Sequence, residues 1–231
     1  MAAIVAPNIV TDGLVCYFDG GNRKSYPSTG TVWADVASGN DGTLTNWVDG
    51  DFTNDKMGYL GFDGSDGYCA VPGAAVDFRD KMSLFAWVNF NSLSGNGIAW
   101  IGKLEASTAQ YALEYTASKF KAALNVGSWK GFTSGFSLST GTWYYLGFTY
   151  DRVNVKTYAN GVFAPNDGTD SPSAQTDPIT GGSLNLTIGG GGWGGGVTLA
   201  ANVEIALVKL YNRALTAAEV LQNYNATKGR F

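Results

Sequence analysis

The 231-residue chain is 45% hydrophobic but only 15% charged, with a net charge of −4 and no basic run, which argues against nucleic acid as a partner. It has no histidine and two cysteines, Cys16 and Cys69, so neither a histidine-based catalytic triad nor a structural zinc site is expected. No stretch reaches the length of a membrane span. The N-terminal MAAIVAPNIV lacks a basic region and is interrupted by Pro7, so it does not read as a secretory signal.

A chain of this length fits one all-β domain over residues 1–231 and buries roughly 70–75% of its unfolded surface, without needing a metal or a disulfide. Thirty-two glycines against six prolines suit many tight turns. The first strand is Leu14 to Phe18, with Leu14, Cys16 and Phe18 on one face and Val15 and Tyr17 on the other. Cys16 and Cys69 both lie in strand-like text and read as small buried hydrophobes; whether they pair is open. After the turn-rich Ser38 to Gly42, the segment Tyr59 to Tyr68 reads as strand, tight turn and strand, with Gly64 and Gly67 as permissive positions.

Met82 to Phe90 carries the strongest central-strand signal. Leu84, Ala86, Val88 and Phe90 form one apolar face; Phe85, Trp87 and Asn89 point the other way. Shorter strands follow at 98–103, 110–115 and 119–126. Trp143 to Tyr150 alternates again, with Tyr144, Leu146, Phe148 and Tyr150 together, and 153–158 returns as its partner before an Asn160-Gly161 turn. Residues 167–182 read as one long exposed loop, and 189–196 (GGGGWGGG) is a low-complexity insert.

The last stretch begins as a strand. Val203, Ile205, Leu207 and Lys209 fall on one face, and Glu204, Ala206, Val208 and Leu210 on the other, which places it inside a sheet. Thr216 is then an N-cap, Glu219 completes a capping box, Leu215 and Val220 form a staple, and Gly229 stands where a left-handed residue would end the helix.

Leu210-Tyr211-Asn212-Arg213-Ala214-Leu215-Thr216 followed by Ala218-Glu219-Val220 resembles the closing motif of laminin G-like domains in the concanavalin A-like lectin/glucanase superfamily. Residues 13–46, the Phe62-Asp63-Gly64 turn and the strand pair around Trp143 to Gly161 resemble the same family, with Arg152 where a glycine is usual. The two ends of the chain resemble, more narrowly, members found among tailed-bacteriophage virion proteins. The resemblance implies a jelly-roll β-sandwich of two antiparallel sheets with a short C-terminal helix.

Hydrolytic members of that superfamily set acids on one strand as E-x-D-x-E, which places an acid and a nucleophile on the same face. No such run occurs. Glu105, Glu114, Glu204 and Glu219 are isolated in sequence, and the expectation is a protein without enzymatic activity. Related domains bind calcium at the sandwich rim, which makes Asp63 and Asp66 the candidate metal residues, although the Ile-Asp-Glu of many relatives is Ile205-Ala206-Leu207 here. Trp87 and Trp143 sit in strong strands and are expected to be packed. Trp129 and Trp193, both in loop text, are the candidate ligand-binding rings, for a glycan or for a subunit interface. The insert lacks the following Lys-Ser/Thr and helix N-terminus of a phosphate loop.

The resemblance, with a chain that reads as a whole domain from its initiator Met and carries no export signal, implies a structural protein on a phage virion exterior. Assembly would occur in the host cytoplasm, most naturally as capsid decoration on the major capsid protein, with self-association into a homo-oligomer and surface polysaccharide as further partners left open. A lectin-like module or a tail or fibre adhesin is the alternative.

Overall fold

A computed structural model describes residues 7–48, 51–54, 58–104, 109–182, 184–191 and 199–231. The first of two large sheets runs in the order β14 (Val162–Ala164), β13 (Val155–Ala159), β12 (Trp143–Tyr150), β7 (Met82–Phe90), β18 (Asn202–Tyr211), β5 (Tyr59–Asp63) and β4 (Phe52–Thr53). β1 (Leu14–Asp19) pairs with the far half of β18. The second sheet runs β11 (Trp129–Ser137), β10 (Lys119–Asn125), β9 (Tyr111–Thr116), β8 (Asn96–Lys103), β15 (Leu186–Ile188), β6 (Tyr68–Val71), β3 (Gly42–Thr45) and β2 (Val32–Trp33). A two-stranded ribbon, β16 (Gly190–Gly191) with β17 (Leu199–Ala200), roots the glycine-rich insert.

The alternation in β7 is realised as read. Leu84, Ala86, Val88 and Phe90 enter the core between the sheets, while Phe85 and Trp87 join a second cluster on the outer face of the first sheet. Tyr144, Leu146, Phe148 and Tyr150 of β12 also face the inter-sheet core.

β18 departs from its expected pattern. Ile205 pairs with Val88 and Leu207 with the next residue, Trp87, so Ala206 is an extra residue. Its carbonyl accepts the Gly20 N–H at 2.8 Å. Beyond this bulge the faces exchange: Val203, Ile205, Val208 and Leu210 point inward, while Ala206, Leu207 and Tyr211 lie outside. The sequence grouping of Leu207 with Val203, and of Val208 and Leu210 with Glu204, is thereby corrected. A register shift between Leu14 and Cys16 does the same in β1, sending Leu14 to the outer cluster, while Val15 packs against the inter-sheet core.

Three further expectations change. Tyr59 to Val71 is no hairpin, because β5 and β6 belong to different sheets, and Gly64 (φ 82°) makes the crossing while Gly67 is not left-handed. Trp129 opens a strand, β11, that its two glycines had hidden. The 167–182 segment is docked in part: Ile179 is buried, Gln175 N–H bonds to Val153 O, and Thr180 N–H bonds to Asn125 O. Arg152, at φ 69°, takes the conformation that favours glycine, and its guanidinium bonds to Asp80 and to Thr176 O.

The helix α1 (Ala217–Thr227) closes the outer face of the first sheet. Thr216 Oγ1 accepts the Glu219 N–H at 3.3 Å, and Glu219 Oε2 accepts the Thr216 N–H at 2.8 Å, completing the capping box. The Arg213 guanidinium and these cap bonds hold the Glu219 carboxyl down, to about 2. The helix runs into a 3-10 turn, Lys228–Arg230, so Gly229 is not the left-handed terminator expected. Phe231 instead stacks on Trp87, with ring centroids 4.2 Å apart, and Arg230 grips both oxygens of Asp19 at 2.8 and 2.9 Å.

Cys16 and Cys69 are free and buried. Lys209 is also fully buried, 5.0 Å from the Tyr17 ring centroid, and its amine has no hydrogen-bond partner. Burial pushes its pKa down to about 7, against the opposing pull of Asp19. The unfolded chain keeps this proton up to about pH 10.4 and the folded one sheds it near 7, so between the two the unfolded state binds more protons and stability rises with pH. Lys209→Met is expected to flatten that rise and to stabilise the protein at neutral pH by about 1–3 kcal/mol, measured by urea unfolding at neutral and mildly alkaline pH.

Candidate functional site

One line of register crosses all eight strands of the second sheet: Val32, Thr43, Ala70, Thr187, Gly102, Ala112, Ala123 and Gly131 stand side by side. Their neighbours Trp33, Leu44, Cys69, Leu186, Leu113 and Leu124 enter the core, so this line is the outer face, and apart from Val32 it carries only small residues. Thr43, Ala70, Thr187 and Gly131 of this line remain at least partly exposed, while Gly102, Ala112 and Ala123 are buried. Trp129 packs over the β9–β10 end of the line against Ala112 and Ala123, with Leu104 alongside.

The neighbouring line is polar. Glu114, Lys121 and Thr133 are register partners on β9, β10 and β11. The Lys121 amine lies 3.6 Å from Glu114 and 4.0 Å from Asp170, and Asp170 also accepts a hydrogen bond from the Thr133 hydroxyl. Gly131 makes this possible: a Cβ there would fall 2.4 Å from Lys121 Cε, so only a bare backbone lets the lysine lie flat towards Asp170. Beside it Lys119 pairs with Asp167 at 2.7 Å. Burial raises the Glu114 pKa and Lys121 opposes the rise. The result is two carboxylates around one ammonium, next to an indole, with donors and acceptors suited to hydroxyl groups and one acid that holds its proton longer than a solvated carboxylate does.

Of the residues singled out from the sequence, Trp129 belongs to this face. Trp193 lies outside the described residues, but the ribbon that flanks it is anchored beside β8, where the Gly189 N–H bonds to Trp100 O at 2.9 Å. Asp63 and Asp66 sit at the crossing between the sheets, where Asp63 accepts the Ser65 N–H at 2.8 Å and Asp66 accepts the Asn46 side chain at 3.0 Å. Asp63 lines a cleft of about 350 Å³ with Ser92, Ser94, Tyr115 and Asn202. Among the described residues no three acidic or thiol side chains gather as a metal site, so calcium there would depend on carbonyl and water oxygens. Sequence reasoning missed Glu114, Lys121 and Asp170; the Glu114–Lys121 spacing across a strand pair was the available signal.

A family model described as the concanavalin A-like lectin/glucanases superfamily matches residues 63–221. No curated protein sequence matches significantly. Among solved structures, the binding domain of Paraclostridial Mosquitocidal Protein 1 is similar with a TM-score of 0.73 at 11% identity, over 94% of this chain and 52% of that one. Trypanosoma rangeli sialidase in complex with sialic acid gives 0.68 at 19% identity, over 99% and 36%. The receptor-binding domain of botulinum neurotoxin C/D mosaic serotype gives 0.67 at 11%, over 93% and 51%. This chain thus spans about a third of the sialidase and half of the toxin chains, and the likeness is one of fold: a concanavalin A-like jelly roll.

These findings correct the expectation of a protein without enzymatic activity. Glu114 is isolated from the other glutamates in sequence but not from other acids in space, since the fold gathers it and Asp170 around Lys121. The structures that share the fold include sialidases, in a superfamily named for glucanases as well as lectins, so the ground for excluding catalysis falls away.

The Glu114 carboxyl is expected to titrate above its ordinary value in carboxyl-carbon NMR, and Lys121→Met to move its midpoint further up, because the ammonium is what opposes the rise.

Proposed function

The chain belongs to the concanavalin A-like lectin/glucanases superfamily, and on that premise we propose that it is a glycan-recognition domain displayed on the exterior of a bacteriophage particle. The observation that carries the recognition reading is the partly exposed Trp129 ring packed on the small residues of the second sheet, with the Glu114–Lys121–Asp170 cluster on the neighbouring line. A sugar ring needs an apolar face to lie on and polar groups at its edge, and this surface has both. The fold likeness to toxin binding domains and to a sialidase holding sialic acid agrees with that reading.

Placement on a virion is supported by the likeness of both chain ends to phage-type members of the family. The same resemblance favours capsid decoration, with the major capsid protein as partner and assembly in the host cytoplasm. The net charge of −4 without a basic run fits a partner other than nucleic acid, and among the described residues no helix is long and apolar enough to cross a membrane.

Titration calorimetry against oligosaccharides released from candidate host surfaces is expected to show saturable binding that Trp129→Ala weakens at least about tenfold while the circular dichroism spectrum is kept. Unchanged binding in that variant removes this face from the reading. Cosedimentation with purified capsids, insensitive to free sugar, is the expected virion result, and sedimentation with tails alone contradicts decoration. A melting temperature that calcium raises in the parent but not in Asp63→Ala would locate a cation at the sheet crossing.

A further inference from the structure

A second row, on the opposite side of the molecule, carries a separate site. On the outer face of the first sheet the register aligns Gly61 of β5, Glu204 of β18, Asn89 of β7 and Trp143 of β12. Asn89 is 8% exposed. Its Nδ2 donates to Glu204 Oε2 at 2.8 Å, and its Oδ1, at the other end of the amide, has no hydrogen-bond partner. Buried polar atoms are almost always paired, so an unused acceptor here calls for a donor from elsewhere. The rings of Trp143 and Tyr59 meet over this row with centroids 5.3 Å apart and planes tilted by 58°, and Phe231 adjoins Trp143 at 5.1 Å. Gly61 contributes no side chain, and the Asp51 carbonyl oxygen stands 3.3 Å from where its Cβ would lie, so the row is bordered there by backbone beside the partly exposed Glu204. Glu204, Tyr59, Trp143 and Phe231 all remain partly exposed, and Glu204 joins no ion pair among the described residues.

We infer that the Asn89–Glu204–Trp143–Tyr59 cluster is a second saccharide site, selective for neutral or amine-bearing pyranoses over acidic ones. It extends the glycan-recognition reading and rests on it. The polar atoms left without a partner on this row are acceptors: the Glu204 carboxylate at the surface and the buried amide oxygen of Asn89 beneath it. A ligand must therefore bring hydroxyl or ammonium donors and no negative charge, while the tilted rings need an apolar face to touch. A pyranose has both, in its C–H face and its hydroxyl edge. A uronic or sialic acid would set its carboxylate against Glu204, with no cation to offset the repulsion. The face built around Trp129 differs in this respect, since Lys119 and Lys121 stand there. Two sites on opposite faces would let one domain engage two sugar units of a repeating polysaccharide, or two chains.

The test is two-dimensional NMR of the labelled protein, observing the Asn89 side-chain amide and the Trp143 Nε1–H. The added probes are a neutral hexose oligosaccharide, a glucosamine oligosaccharide and a uronic-acid oligosaccharide. The first two are expected to move both signals saturably, with the third at least about tenfold weaker. Trp143→Ala should abolish the response. Glu204→Gln, a milder change that keeps shape, should narrow the gap between neutral and acidic probes, and Trp129→Ala should leave it as it was. Binding at Trp129 with no response at Asn89 and Trp143 overturns this inference and leaves the first reading standing. Silence at both faces overturns both. Equal response to the uronic-acid probe, or a gap that Glu204→Gln does not narrow, overturns the selectivity.

Discussion

The structure depends on a single extra residue in β18, a strand that lies mid-sheet and is buried on both faces beyond its first turn of pairing. Without the bulge at Ala206, strict alternation would turn Lys209 into the core between the sheets and expose Val208 and Leu210 on the wrong side. With it, Val208 and Leu210 continue the core that Val203 and Ile205 begin, and Leu207 and Tyr211 reach outward. That outward set is what α1 closes on, through Val220 and Leu215, and what the C-terminal ring of Phe231 completes by stacking on Trp87. Each such ring pair adds about 0.5–1.5 kcal/mol beyond the area it buries. Even on this outer side Lys209 stays buried, with a depressed pKa and an unmet hydrogen bond.

The same arrangement explains how the two outer faces came to differ. The first sheet gives much of its outer surface to the helix and the chain ends, leaving the Glu204 end and the β13–β14 edge around Lys156 and Phe163 exposed. Among the described residues no α-helix lies over the second sheet, and apart from Val32 its outer line holds only Thr, Ala and Gly. Its middle is covered by a small cluster of Leu104, Ala109 and Trp129 over Ala112 and Ala123, and its β2–β6 end stays at the surface. Its polar partners, Glu114, Lys121, Thr133 and Asp170, come from adjacent strands and from the docked 167–182 segment, which fixes their spacing rigidly.

Much of this was legible in the residues and part of it was not, for physical reasons. β7 and β12 could be read because each is a long, unbroken alternation, and α1 because Thr216 and Glu219 are local to the turn they cap. The bulges in β1 and β18 left no mark, because both faces of those strands are apolar and a slip changes no residue class. β11 was hidden by Gly131 and Gly135, yet Gly131 is there to let Lys121 pass. Trp129 was recognisable as a candidate ring, but its place on a strand was not. Glu114 looked solitary because its partners meet it only across a strand pair and through a distant loop. The closing motif carried the family, and the fold it implied is the fold found.

The central claim, that the outer face of the second sheet is the surface that meets a glycan, is tested most directly by amide shift mapping of the intact chain during titration with a binding oligosaccharide. The account predicts that the largest saturable changes fall on Lys121, Ala123, Gly131, Thr133 and the Trp129 indole. Changes confined to α1 and the β14 edge, or none on the second sheet at saturation, would contradict it.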